Sequence, residues 1–215
     1  LFVGLLAAIL IATWPDPPWR LLQWGGPAMM ALGPLVLFPF TKTLYLAFEA
    51  VRQGRLKLDT PLEVSRRAAG QAPSKLGLVA GSKVPLRVLI LGLTIQSAND
   101  AAVVVAEALG GDEDRFAEQM TRKARALGMS KTTFKNASGL PNRAQVTTAR
   151  DMATLGRALL QTFPTEYKYF SADEFTFDGR VYRTHNRLLD NYDGADGIKT
   201  GYIRASGFNL ASSAE

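Results

Sequence analysis

Residues 196–203 read DGIKTGYI, residues 207–214 read GFNLASSA, and RASG at 204–207 stands between them. Polar and apolar residues mix there in short runs, and a short glycine-containing connection suits a hairpin, so the two stretches predict paired strands. Upstream, FTFDGRVY at 175–182 has the same strand character. The chain before it follows a different period. TLYLAFEAVRQG at 43–54 predicts an amphipathic helix closed by basic residues and a glycine. LKLDTPLEVS at 56–65 is short and extended, and a Gly-Ser turn leads to a helix beginning near Pro85. NDAAVVVAEALGG at 99–111 and DEDRFAEQMTRKARALGM at 112–129 predict two more helices. The second is acidic at its start and basic at its end, as the helix dipole favours. Thr148 to Asp151 predicts a capping box ahead of MATLGRALLQTF, which Pro164 stops. Helices come first and strands last, so the fold class is α+β.

The composition narrows the function. The chain has 215 residues, 47% hydrophobic and 20% charged, which suits a globular core. A net charge of +6 and a pI near 9.7 fit anionic surroundings such as a membrane surface or cell-wall polymer. Basic residues do not interleave with aromatics, which argues against a nucleic-acid partner. The absence of cysteine excludes disulfides, thiolate nucleophiles and Cys-ligated metal. His185 is the single histidine, so Ser-His-Asp chemistry would depend on it. Its setting, RVYRTHNRLLD, suits a hydrogen-bonded structural imidazole. No metal or cofactor is expected. The opening LFVGLLAAILIAT, residues 1–13, has the length of a secretory h-region and is too short to span a bilayer. It is read as a partial signal peptide, implying export to the periplasm or cell envelope; a buried N-terminal helix is the alternative.

Two short motifs carry polar side chains where the pattern calls for apolar ones. In IQSANDAA, Ser97 and Asn99 stand between two apolar helices, where a helix stop followed by an N-cap would also explain them. In DGIKTGYI, Gly201 would let another backbone approach, while Lys199 and Thr200 are the cation and hydroxyl that a carboxylate needs. An edge strand guarded by a lysine is the plainer account of that strand.

Taken together, S-A-N at 97–99 and K-T-G at 199–201 match two of the three motifs of the active-serine penicillin-binding pattern. LYLAFEAVRQGRLKLDT, APSKLGLVAGSKVP, NASGLPNRAQVTTARDMATLGRALL, HNRLL and DGIKTGYIRASGFNLASSA, in that order, resemble the serine D-alanyl-D-alanine carboxypeptidases. These are the low-molecular-mass penicillin-binding proteins. The resemblance runs over residues 43–215. It implies a β-lactamase/DD-peptidase-like fold, with a helical subdomain and an antiparallel sheet flanked by helices. It implies serine acyl transfer on peptidoglycan stem peptides ending in D-Ala-D-Ala, and covalent capture of β-lactams in intact relatives. By position, Ser97 would be the hydroxyl that relays a proton, and Asn99 would hold the substrate amide. Lys199 and Thr200 would bind the terminal carboxylate, Gly201 would admit the substrate alongside the strand, and the Tyr202 N–H would serve the oxyanion hole. Gly139 matches a family loop and receives no chemistry.

The third motif is missing. Relatives carry S-x-x-K ahead of the helix that resembles TLYLAFEA, and an ungapped count back from Thr43 puts Leu37 at the serine and Phe40 at the lysine. Taking Lys42 as that lysine would put Pro39 at the serine. No serine precedes Ser65. Residues 14–42 form an atypical segment, read as a frame disruption or as a genuine apolar replacement. N- and C-terminal strands of the family sheet are not recognisable in the chain. The expectation is a carboxypeptidase-family protein without turnover. Alternatives are an exported pseudoenzyme that binds wall peptides or associates with the membrane, and a class A β-lactamase, against which S-A-N in place of S-D-N counts.

Overall fold

A computed structural model describes residues 39–204 and 207–214. The expectations for residues 1–38, including the signal segment and Leu37, lie outside these.

The helix α1, Pro39–Arg52, begins inside the stretch assigned to the atypical segment, so Pro39–Lys42 belong to the packed domain. Ten of its residues are buried, and Phe48 stacks among Phe163, Tyr169 and Phe170. The strands β1, Pro61–Glu63, and β2, Lys83–Pro85, pair antiparallel, with the short helix α2, Arg66–Ala69, between them in sequence. The helix α3, Leu86–Leu91, starts where Pro85 predicts and continues into a π-helical turn over Gly92–Gln96.

At the centre lies α4, Asn99–Gly110, buried without a break from Asn99 to Ala106. NDAAVVVA is apolar around most of its circumference, as a helix enclosed on all sides must be. It packs against α1, α2, α3 and α5, Glu113–Ala126. Asp100 is the one charge in that buried run. Its carboxylate accepts the backbone N–H groups of Leu76, Gly77, Leu78 and Ala101, which ties the 76–78 loop to the start of α4. Such bonding removes the cost of burying a carboxylate.

The loop at 136–140 covers the start of α1. Gly139 has φ +89°, and a β-carbon there would lie 3.0 Å from Pro39. Thr43 Oγ1 donates to the Ala137 carbonyl beside it. The family-like loop thus has a packing reason for its glycine. The helix α6, Ala149–Thr162, is capped by Thr148, whose hydroxyl accepts from the Asp151 N–H. The box is not reciprocal, because the Asp151 carboxylate accepts from Thr132 Oγ1 and the Lys131 N–H. Tertiary partners have taken the side chain that a local box would use.

FTFDGRVY is a hairpin and not one strand: β3, Glu174–Phe177, pairs with β4, Arg180–Arg183. Asp178 and Gly179 both have positive φ, and Asp-Gly is the pair that favours the tight turn of a two-residue hairpin. After the short helix α7, Leu188–Asn191, comes β5, Ala195–Ile203, antiparallel to β6, Gly207–Ala214, with Lys199 opposite Ala211. This hairpin docks on the helices. Ile198 reaches Gly156 of α6, where a β-carbon would lie 2.8 Å from the end of its side chain, and Tyr167 hydrogen-bonds Ser213.

Candidate active site

Three separate segments converge on one cleft. The π-helical turn ends at Ser97, which is left-handed at φ 55°, ψ 46°. A non-glycine residue there is uncommon, and π turns recur where a helix must present a side chain to a site. The helix-stop reading of Ser97 is therefore correct as local structure, whereas the N-cap of α4 is Ala98, with no side-chain cap. On β5, side chains alternate, so Ile198 faces α6 while Lys199 turns to the other side. There its Nζ lies 2.5 Å from Ser97 Oγ and donates to the Thr200 carbonyl at 2.9 Å. A pair 102 residues apart in sequence is thus in direct contact.

The cleft, of about 590 Å³, is lined by Ser97, Gln96 and Ser74 on one side and by Thr200, Gly201 and Tyr202 on the other. Lys199 is only 2% exposed and lies behind that wall. Burial pushes its ammonium down to about 7 from an ordinary 10.5. His185 lines the cleft too; burial, then the Lys199 charge, lowers its pKa. Nothing in RTHNRLL beyond its family-like spelling pointed there.

Asn99 is bonded to the protein's own backbone. Its Nδ2 donates to the Ala72 and Pro73 carbonyls at 3.1 and 3.4 Å, and it does not line the cleft. Its visible work is to hold the 72–74 loop, assisted by its own backbone N–H on the Ser74 carbonyl. Tyr202 and Phe208 pair at the cleft mouth, ring centroids 4.6 Å apart, and both are well exposed.

The two lysine counts at α1 can be compared directly. The Phe40 ring centroid is 5.8 Å from Lys199 Nζ, so position 40 faces the site. Lys42, two residues on, turns away into the core. Its Nζ sits 4.4 Å above the Tyr45 ring and has no hydrogen-bond partner among the described residues. Burial, then the charge of Lys123, lowers it to about 7. Residues two apart on a helix do not share a face. The count placing Phe40 at the lysine position fits this geometry; the count through Lys42 does not. Among the described residues no cluster of His, Cys, Asp or Glu could hold a metal ion.

The family model of D-alanyl-D-alanine carboxypeptidases matches residues 40–215. The D-alanyl-D-alanine carboxypeptidase DacA of Escherichia coli strain K12 is 36% identical over 179 residues, covering 80% of this chain and 44% of that protein. The crystal structure of the carboxypeptidase DacD from Francisella tularensis superposes with a TM-score of 0.79 at 30% identity, covering 85% of this chain and 57% of that one. Penicillin-binding protein D2 from Listeria monocytogenes, solved in its ampicillin-bound form, gives 0.67 at 28% identity, covering 85% and 79%. The chain spans about half the length of the curated relatives it matches.

Proposed function

This chain belongs to the D-alanyl-D-alanine carboxypeptidase family, and from that premise we propose that its cleft binds the D-Ala-D-Ala end of peptidoglycan stem peptides without the family's S-x-x-K turnover. The observation that carries the second half is the aromatic ring of Phe40 beside Lys199. An S-x-x-K site needs an amine there to take the proton of a serine one turn earlier, and a phenyl ring has no lone pair to offer. Ring and count agree, since the sequence has leucine at position 37 and no serine before Ser65.

The binding half rests on the strand. Thr200 and Gly201 line the cleft in β5, and Gly201 has no side chain to keep a peptide backbone away. Lys199 behind them offers positive charge to a terminal carboxylate when protonated, and the Thr200 hydroxyl offers a hydrogen bond. We place this activity in the cell envelope, where peptidoglycan lies; the apolar opening segment and the net charge of +6 support export and a polyanionic neighbourhood. No described helix is long and apolar enough to cross a membrane.

Calorimetric titration with a synthetic tripeptide ending in D-Ala-D-Ala, alongside an assay for released D-alanine, tests both halves. Saturable binding that the L-Ala-L-Ala isomer does not share, with no D-alanine released, is the expected result. Equal binding of the isomer would remove the substrate reading. Catalytic release of D-alanine would remove the claim of lost turnover.

A further inference from the structure

We propose that Ser97 and Lys199 form a nucleophile–base pair of their own, able to accept an acyl group from activated esters such as aryl esters. This goes beyond peptide binding and does not depend on which peptide the cleft holds.

Three observations support it. Ser97 lines the cleft while Lys199 is sealed behind it, so an electrophile entering from solvent meets the hydroxyl before the amine. The two are in direct contact at 2.5 Å, within reach for a proton to pass between them. The left-handed backbone at Ser97, closing a π-helical turn, holds the hydroxyl at the end of a rigid element, and such uncommon backbone states cluster at functional sites.

The surroundings of Lys199 leave it suited to act as a base. The charged or titratable group facing it is His185, from the segment after β4; α1 contributes the uncharged Phe40 ring, and the π turn contributes Ser97. No ion pair joins Lys199 to a carboxylate among the described residues, and burial lowers its pKa to about 7. Near neutrality a large share of the amine is therefore unprotonated. The pairing is invisible in the sequence until β5 is laid beside the π turn.

The step balances within the pair. Neutral Lys199 Nζ takes the Ser97 hydroxyl proton as Oγ bonds to the ester carbonyl carbon. The tetrahedral intermediate then expels the aryloxide, breaking the C–O bond, and the Lys199 ammonium returns the proton to the leaving oxygen. The products are the free phenol and acyl-Ser97, with no oxidant, reductant or metal consumed.

The test is incubation with p-nitrophenyl acetate, followed by intact-mass measurement and peptide mapping. One acetyl group on Ser97 is expected, accompanied by a stoichiometric release of p-nitrophenol whose rate rises with pH through about 7. Ser97→Ala should abolish that burst. Lys199→Arg keeps the charge and removes the base, so the rate should fall by roughly 10²-fold or more. Circular dichroism and a thermal scan on each variant identify any that fail to fold, and the unaltered chain decides the matter alone. Acetylation confined to surface lysines, or a burst that persists at full size in folded Ser97→Ala, would overturn the proposal. Loss of D-Ala-D-Ala binding would not, because the aryl ester carries no such peptide.

Discussion

Lys42 in α1 and Lys199 in β5 are two buried amines, both brought down to about 7, in opposite circumstances. Lys199 has Ser97 and the Thr200 carbonyl as partners and stands one layer behind an open cleft. Lys42 has the face of Tyr45, no hydrogen bond among the described residues, and a neighbouring pair, Lys123 and Glu49, that bond each other. Thr41 beside it also buries a hydroxyl with no partner among the described residues. At the start of α1 the tertiary fold has imposed a core position on polar residues, whereas at the β5 end it has assembled polar residues into a site. Burial shifts a pKa in either place; only access and partners make the shift useful.

The largest expected effect concerns the side of this comparison that lacks chemistry. Restoring the third motif with Leu37→Ser and Phe40→Lys should raise D-alanine release from the tripeptide by on the order of 10³-fold or more over the unaltered chain. An assay for D-alanine reads it directly. No increase from a folded double variant would mean that the segment before α1 cannot place a serine at the cleft.

Next comes the energetic cost of Lys42. Its folded pKa, about 7, lies below the unfolded 10.5, so between these values the unfolded chain holds the proton more tightly. Stability from this group therefore rises with pH across that window, and its full penalty is present below about 7. The span corresponds to roughly 4–5 kcal/mol as an upper scale. Lys42→Met should raise urea stability at pH 7 by roughly 2–4 kcal/mol, with a smaller gain at pH 9.5. Lys199→Met should gain less, since it strands Ser97 and the Thr200 carbonyl. Equal gains from the two variants would erase the distinction drawn above.

Gly139→Ala tests how firmly the 136–140 loop seats the start of α1. A β-carbon 3.0 Å from Pro39 at φ +89° should cost about 1–2 kcal/mol in thermal or urea unfolding. The smallest effect is at the cleft. Thr200→Val should weaken tripeptide binding about 5- to 10-fold, the worth of one ordinary hydrogen bond of about 1 kcal/mol. Affinity for the terminal carboxylate should also decline as pH rises above about 7, because Lys199 loses its charge.

Most of the architecture was legible locally. The helix from Asn99, the turn into α3 after Pro85, and the β5–β6 hairpin lie where period, proline and glycine put them. FTFDGRVY has strand character throughout, but the Asp-Gly inside it is a two-residue turn signal, and it divides the stretch into β3 and β4. Asn99 and Asp151 were legible as polar residues at helix starts, but not in their partners, which come from loops 19 to 27 residues away. His185 gave no warning of its place in the cleft.

What the sequence determined by itself was the class of fold, the family and the absence of a serine ahead of α1, because these follow from local pattern and from residue identity in order along the chain. Only the tertiary structure showed which helix face Phe40 and Lys42 occupy, what Asn99 holds, and that Lys199 Nζ lies against Ser97 Oγ. Each of these depends on which helix face or strand face meets another segment, and on how much water remains there. Phe40 and Lys42 are two letters apart in the sequence, yet one faces the site and the other the core.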